Sequence, residues 1–220
     1  MADITWYGFT RTATLNDLFL EACSDLSRHA KAYEWSDVFK ILEKHPDMVN
    51  MPRIGGLALF TPLHHAAHEG ASIEVVQRLL GIGAWRTLEN ARGELPLDVA
   101  ERKGHGHLKE MLSPEYKHHV PFGVLRRIQE HFHAVIRSRA DELVVEQALR
   151  LPELQPLLEL EESKMWFPIS GMYGGFSFWL QDFGADAKLI SESWSRAEAG
   201  SGERHEINSR GYKLVDEGFV

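Results

Sequence analysis

A group of polar residues near the end of the sequence has the side-chain types that nucleophilic catalysis requires. A serine, a histidine and a glutamate can act as nucleophile, base and orienting group when their side chains share hydrogen bonds. The residues that could form such a site are Ser195, Arg196, Arg204, His205 and Glu206. Residues this close in sequence rarely adopt that geometry, so a polar hairpin loop with cross-strand charge pairs is the favoured interpretation. A catalytic or ligand-binding site around His205 is the alternative.

The twelve histidines of the chain raise the question of a metal site. Three of them, His64, His65 and His68, fall on one short predicted helix, whereas His131 and His133 cannot share a helix face. Neither HExxH nor a pair of CxxC motifs occurs in the sequence. The sequence therefore predicts neither a metal site nor a cofactor.

Composition and charge limit the classes of partner. The chain has 220 residues, of which 44% are hydrophobic and 25% charged, and these are ordinary values for a globular protein with a sizeable core. Its net charge of −8 repels nucleic-acid phosphates and anionic lipids, so neither is an expected partner. The same charge would attract a basic protein surface.

The single cysteine and the first residues of the sequence indicate a reducing compartment. Because Cys23 is the single cysteine, no intramolecular disulfide can form. It lies in an apolar helical run, so it is expected to be a core residue and not a nucleophile. Residues 1–7 lack the basic and apolar regions of a signal peptide, and no stretch approaches the roughly 20 apolar residues that span a bilayer. A cytoplasmic protein is therefore expected.

Two segments of the first half repeat one pattern. Residues 61–67 (TPLHHAA) and 95–100 (LPLDVA) share the frame Pro-Leu-x-x-Ala, and their prolines lie 34 residues apart. Thr61 can cap a helix that begins at Pro62, and the apolar spacing from Ile73 to Leu80 predicts a second helix. Such a helix pair cannot bury both of its faces alone and must stack on neighbouring repeats.

This pattern resembles the ankyrin repeat family. The tetrapeptide TPLH at residues 61–64 is typical of that family, and Gly83-Ala84 followed by Gly93 matches its inter-repeat turn. The second copy has Leu95 for the threonine and Asp98 for the histidine, so its capping network is expected to be weaker. Residues 14–50 resemble a degenerate copy of the same repeat, which precedes the copy that begins at residue 61. The resemblance covers residues 14–112 and is specific over 61–112.

The resemblance implies a partner-binding surface on the inter-repeat fingers and the inner helices. The finger between Asn50 and Thr61 is three residues longer than the one between Thr87 and Leu95, and its insertion is unusually apolar for a loop. The expected partner-binding residues are Leu57, Leu59, Phe60, Trp85 and Arg86. In the alternative interpretation, the apolar finger residues fold inward and pack on the rest of this chain.

The second half of the sequence has a different pattern. Helices are predicted from Pro121 to Arg139 and from Asp141 to Leu149, and they would cap the open end of the array. Strand formers and turn residues follow. The predicted strands cover residues 165–169, 176–180, 188–194, 204–208 and 212–215. Residues 172–176 and 200–206 also resemble segments of uncharacterised bacterial ankyrin-containing proteins.

Together these patterns predict an α+β protein. Its parts are an ankyrin array over residues 14–112, a helical cap or linker over 113–160 and a small antiparallel β domain over 161–220. The predicted function is a bacterial-type, non-enzymatic module that binds one protein partner. An immunity- or antitoxin-like inhibitor of a basic toxin is the specific hypothesis, and it depends on net charge and fold analogy. The oligomeric state is left open.

Overall fold

The computed structural model describes residues 4–9, 17–196 and 201–218, and it shows an α+β protein. The described residues form two compact units, one within 10–115 and the other made of 4–9 together with 116–218. The helices of the first unit are α1 (Asp17–Ala32), α2 (Trp35–Lys44), α3 (Pro62–Glu69), α4 (Ile73–Ile82), α5 (Pro96–Lys103) and α6 (Lys109–Leu112). The second unit contains α7 (Phe122–Glu146), β1 (Lys164–Ile169), β2 (Gly174–Asp182), β3 (Lys188–Ser195), β4 (Ser201–Asn208) and β5 (Gly211–Glu217).

Helix α3 begins as its sequence predicts. The backbone N–H of His64 donates to Thr61 Oγ1 over 3.4 Å, and the backbone N–H of Thr61 donates to His64 Nδ1 over 3.3 Å. Pro62 occupies the first helical turn, where its missing N–H costs nothing. The helix ends at Gly70, whose φ of 77° is a left-handed conformation that glycine adopts without strain.

Helix α5 repeats this arrangement with fewer bonds. It begins at Pro96, and the backbone N–H of Leu95 donates to Asp98 Oδ2 over 2.8 Å. A leucine side chain cannot accept the bond that Thr61 accepts in α3. The weaker capping expected of the second copy is thereby confirmed.

The core of the first unit includes small and sulfur-containing side chains among its aliphatic residues. Helix α3 packs against α1, α4 and α5, and the buried Ala66 and Ala67 allow this close approach. Cys23 is buried with its Sγ 4.0 Å from Met48 Sδ and 3.8 Å from Met51 Sδ. Burial raises the pKa of the Cys23 thiol to about 12. This burial confirms the prediction that Cys23 is a core residue. So high a pKa also leaves no reactive thiolate.

The sheet of the second unit is an antiparallel meander of order β1-β2-β3-β4-β5. All five predicted strands are present. Each observed strand is longer than predicted, by one to three residues at one end or at both ends. The segment before α1 adds a contact that the sequence analysis did not predict. Thr5 forms a parallel bridge with Trp166 of β1, and the backbone N–H of Trp6 donates to Trp166 O over 2.8 Å.

Helix α7 belongs with the sheet. Phe132 is buried and lies 4.8 Å, between ring centroids, from Phe178 of β2. Ala140 has non-helical dihedral angles (φ −147°, ψ 29°), so the break expected between two helices is a kink within one. The predicted segmentation differs here, because residues 116–160 join the sheet in one unit rather than forming a separate cap. The shared aromatic core accounts for this.

Candidate functional site

The long finger presents one fully exposed leucine. Leu57 has an exposed fraction of 94%, whereas Leu59 and Phe60 are half-buried. The Phe60 ring stacks on the His64 ring with 5.4 Å between centroids, and Ala58 O accepts a 3.0 Å bond from the backbone N–H of Ala91. The stacking of Phe60 and the bond from Ala91 therefore hold the finger in place, while Leu57 points to solvent.

The backbone of the finger is held in an unusual conformation. Gly55 and Leu59 have φ values of 72° and 53°. The left-handed region costs a leucine about 1 kcal/mol, and such residues persist where the surroundings enforce them, often at functional sites. Both alternatives of the sequence analysis are thus realised in part, because Phe60 and Leu59 turn towards the chain and Leu57 turns away.

Two clefts lie on either side of the finger within the first unit. The larger, of about 620 Å³, extends from the finger to α1 and α3 and includes Lys31, Tyr33, Arg53 and His65. The other, of about 530 Å³, extends to α5 and includes Arg92, Glu94, Arg102 and Lys103. The two clefts share four lining residues, namely Leu57, Ala58, Phe60 and His68. They therefore form neighbouring halves of one surface.

The lining of these clefts is positively charged, in contrast to the chain as a whole. Five of the lining residues named above are lysines or arginines, and Glu94 is the one acidic residue among them. Hydrogen bonds from Arg102 and Asn90 lower the pKa of Glu94 to about 2, so this carboxylate is ionised and offsets Arg102. The expectation of a basic partner came from the net charge of −8, and the sign of this surface opposes it.

Trp85 does not contribute to the exposed surface. Its exposed fraction is 6%, and its backbone N–H donates to Asn50 Oδ1 over 2.8 Å. The side chain of Arg86 is largely buried as well, and its Nε donates to Met111 O over 2.9 Å. The expectation that Trp85 and Arg86 bind a partner is therefore corrected, because the turn directs both side chains into the first unit.

Two histidines beside the finger are neutral at physiological pH. Burial, with smaller contributions from His68 and Lys31, lowers the pKa of His65 to about 4. Burial also lowers the pKa of His68, with Lys103 and Arg102 acting in the same direction. His65 packs edge-on against Phe60 with 5.3 Å between centroids. These side chains therefore extend the apolar part of the cleft.

Acidification is expected to destabilise the first unit through His65. The unfolded chain takes up a proton on His65 near the ordinary pKa of 6.5, whereas the folded protein does so only near 4. The unfolded state therefore binds more protons in this window, so stability falls as the pH drops from about 6.5 towards 4 and this contribution changes no further below. Between pH 7 and 4.5, the free energy of unfolding should fall about 2 kcal/mol more in the wild type than in His65→Gln. Urea denaturation at both pH values measures this difference, and equal losses would contradict it.

The alternative site near the C-terminal sheet is dispersed. Ser195 Oγ donates to Met172 O over 3.1 Å, and Arg204 forms an ion pair with Glu192 on the facing strand. Two further predicted members also have separate neighbours: Glu206 pairs with Lys213 of β5, and Arg196 lies over the ring of Trp194. The cross-strand charge pairs expected of a polar hairpin are present, and no nucleophile–base pair forms among these residues as described.

His205 is enclosed between the sheet and α7. Its exposed fraction is 5%, and it lies opposite the buried Ser191 of β3. Burial lowers the pKa of His205, and Arg139 acts in the same direction while Glu203 opposes it. His205 Nδ1 and Ser191 Oγ have no hydrogen-bond partner among the described residues. Because both atoms are buried, a substrate could reach neither of them without opening the packing of α7.

One group of potential metal ligands was not predicted. The donor atoms of His29, Glu34 and Asp37 lie within 4.8 Å of one another. Arg28 Nη2 lies 3.0 Å from His29 Nε2, and Lys40 Nζ lies 2.8 Å from Asp37 Oδ1. Since Arg28 can only donate, the His29 proton lies on Nδ1, which therefore has no lone pair for a metal. Two adjacent cations and this tautomer make the group a poor site for a divalent ion.

The described helices and the comparisons with known proteins add few constraints. None of the helices within the described ranges is long and apolar enough to cross a membrane. No protein-family model matches the sequence. No curated protein matches it.

One solved structure with a partial match is a predatory endopeptidase from Bdellovibrio bacteriovorus in complex with an immunity protein. The match has 17% sequence identity and a TM-score of 0.36. It covers 55% of this chain and 66% of that chain, just under two thirds of its length. Likeness at this level carries no argument about function.

Proposed function

We propose that the first unit is an ankyrin-type repeat array and that it binds a protein partner through the long finger and its two clefts. The repeated capping arrangement of α3 and α5, 34 residues apart, supports the repeat assignment. One observation supports the binding surface above the others, namely the full exposure of Leu57 on a finger that is otherwise anchored. Leu57 lines the larger cleft together with Ala58, Leu59 and Phe60, and an exposed apolar patch rimmed by polar residues marks a protein-binding site.

The protein acts, in this proposal, by binding and not by catalysis. The residues proposed for an alternative enzymatic site are dispersed, and His205 is enclosed. An immunity- or antitoxin-like inhibitor is the narrower form of the proposal, because a small protein dedicated to one partner fits that role. The identity of the captured partner tests this narrower form directly.

Capture of the partner from a lysate of the source cell tests the binding surface. We expect the wild type to retain a specific protein and Leu57→Asp to lose at least nine tenths of it, because a buried charge would replace the apolar anchor. Val145→Asp is the matched control, since Val145 lies on α7 with an exposed fraction of 63% and outside both clefts. Retention by Leu57→Asp at the level of the control would show that the finger is not the binding surface.

A further inference from the structure

Within the first unit, the described basic side chains without an ion pair are concentrated beside the finger. Between residues 17 and 115, most lysines and arginines of the described structure form ion pairs with acidic side chains. Those that form none are Lys31, Lys44, Arg53, Arg92 and Lys103. All of these except Lys44 line one of the two clefts. The surface therefore offers positive charges that the chain itself does not neutralise.

Positive and apolar side chains alternate across the surface formed by the two clefts. Lys31 and Arg53 line the cleft towards α1, while Arg92 and Lys103 line the cleft towards α5. Leu57 lines both clefts and lies between the two cationic pairs. A complementary ligand would thus present an apolar side chain in the middle and negative charge on both sides.

We propose that the finger surface binds a segment of a partner protein in which aspartate or glutamate residues flank an exposed apolar side chain. This inference rests on the proposed function and adds the chemistry of the partner. The net charge of −8 repels such a segment at long range, but at physiological salt the field of distant charges is screened beyond about 8 Å. Contacts within the clefts then decide the affinity, and there the unneutralised cations attract carboxylates.

The lining also disfavours two other chemistries. A basic segment would meet four uncompensated cations, each of which repels it at contact distance. A purely acidic segment would leave Leu57, Phe60 and the neutral His65 without an apolar partner. The combination of both chemistries in one segment satisfies the whole surface.

Selection from a display library of random twelve-residue peptides tests this assignment on the full chain. We expect the wild type to enrich peptides with Asp or Glu on both sides of Leu, Phe or another large apolar residue. One enriched peptide is then labelled, and its Kd is measured by fluorescence anisotropy. Lys31→Glu/Arg53→Glu and Arg92→Glu/Lys103→Glu should each raise this Kd at least tenfold. Lys44→Glu, at a lysine of the first unit that has no ion pair among the described residues and lies outside the clefts, should change it less than twofold.

Circular dichroism of each variant shows whether the helical unit is folded, so a loss of binding can be assigned to charge. Enrichment of Lys- or Arg-rich peptides, enrichment of no peptide class, or an unchanged Kd in both double variants would overturn the inference. Its failure is separable from that of the proposed function. If Leu57→Asp releases the cellular partner and the double variants retain it, only the partner's chemistry is wrong; if Leu57→Asp also retains it, the binding surface itself is wrong.

Discussion

Replacement of His64 by alanine is expected to lower the free energy of unfolding of the first unit by about 3 kcal/mol. The imidazole is fully buried, and its Nδ1 lies 2.9 Å from Thr61 Oγ1. Its Nε2 lies 3.2 Å from Glu94 O, which joins the start of α3 to the turn before α5. The variant would leave the Glu94 carbonyl without this bond and a cavity beneath Phe60, which stacks on the same ring.

Asp98→Ala provides the matched control because Asp98 occupies the equivalent position in α5. Its side chain is exposed and forms the 2.8 Å bond to the Leu95 N–H, so its loss should cost only about 0.5 to 1 kcal/mol. Urea denaturation followed by far-ultraviolet circular dichroism measures both changes. Equal losses in the two variants would show that His64 is a simple helix cap and does not link α3 to the turn before α5.

Alanine at Gly174 is expected to destabilise the sheet by about 3 kcal/mol, at the upper end of the usual overpacking cost. A Cβ atom there would lie 1.9 Å from the backbone oxygen of Trp194. That oxygen belongs to β3, which is paired on both sides, so it cannot move away without disturbing two ladders. Trp fluorescence and circular dichroism during urea denaturation should both report the earlier transition.

The control for this prediction is Gly123→Ala in the first turn of α7. Apart from the adjacent residues and the backbone of the same helix turn, no described atom lies within 4 Å of the Cβ position at Gly123, and alanine is the better helix former. We expect no loss of stability and a gain of up to about 0.5 kcal/mol. If Gly174→Ala were as stable as this variant, the close approach of β2 and β3 would not constrain the residue at 174.

The same close approach explains the composition of residues 172–176, for which the sequence showed only a resemblance to segments of other proteins. In residues 172–176, Tyr173 has a left-handed φ of 52°, and Gly174 and Gly175 both lie against backbone oxygens of neighbouring strands. The constraint is therefore one of space in the turn from β1 to β2. It requires neither a ligand nor a reaction.

Local patterns were the part of the fold that sequence could predict. The cap at Thr61, the proline at the first turn of α3 and the alternation in β2 depend on neighbours within a few residues. Each of these predictions is confirmed in the described structure. The break near Ala140 was also predicted, although the structure shows it as a kink.

Side-chain direction across the fold could not be predicted in the same way. Trp85 follows a glycine turn, and its backbone N–H donates to Asn50, 35 residues earlier, a contact that no local pattern indicates. The burial of His205, which the sequence placed on a strand, could not be predicted because nothing local indicates that α7 covers β4. The positive charge beside the finger was equally hidden, since Lys31, Arg53 and Lys103 converge only when the helices are stacked.

The pairing of Trp6 with Trp166 has a consequence for synthesis on the ribosome. The helical unit is inserted between the two parts of the sheet unit, so a chain made from its amino end exposes the segment at Trp6 long before its strand partner exists. At typical elongation rates, the roughly 160 intervening residues take on the order of ten seconds to appear. The helical unit has local contacts and can fold during this delay, whereas the sheet unit closes last. A nascent chain stalled before β1 should therefore already display the finger.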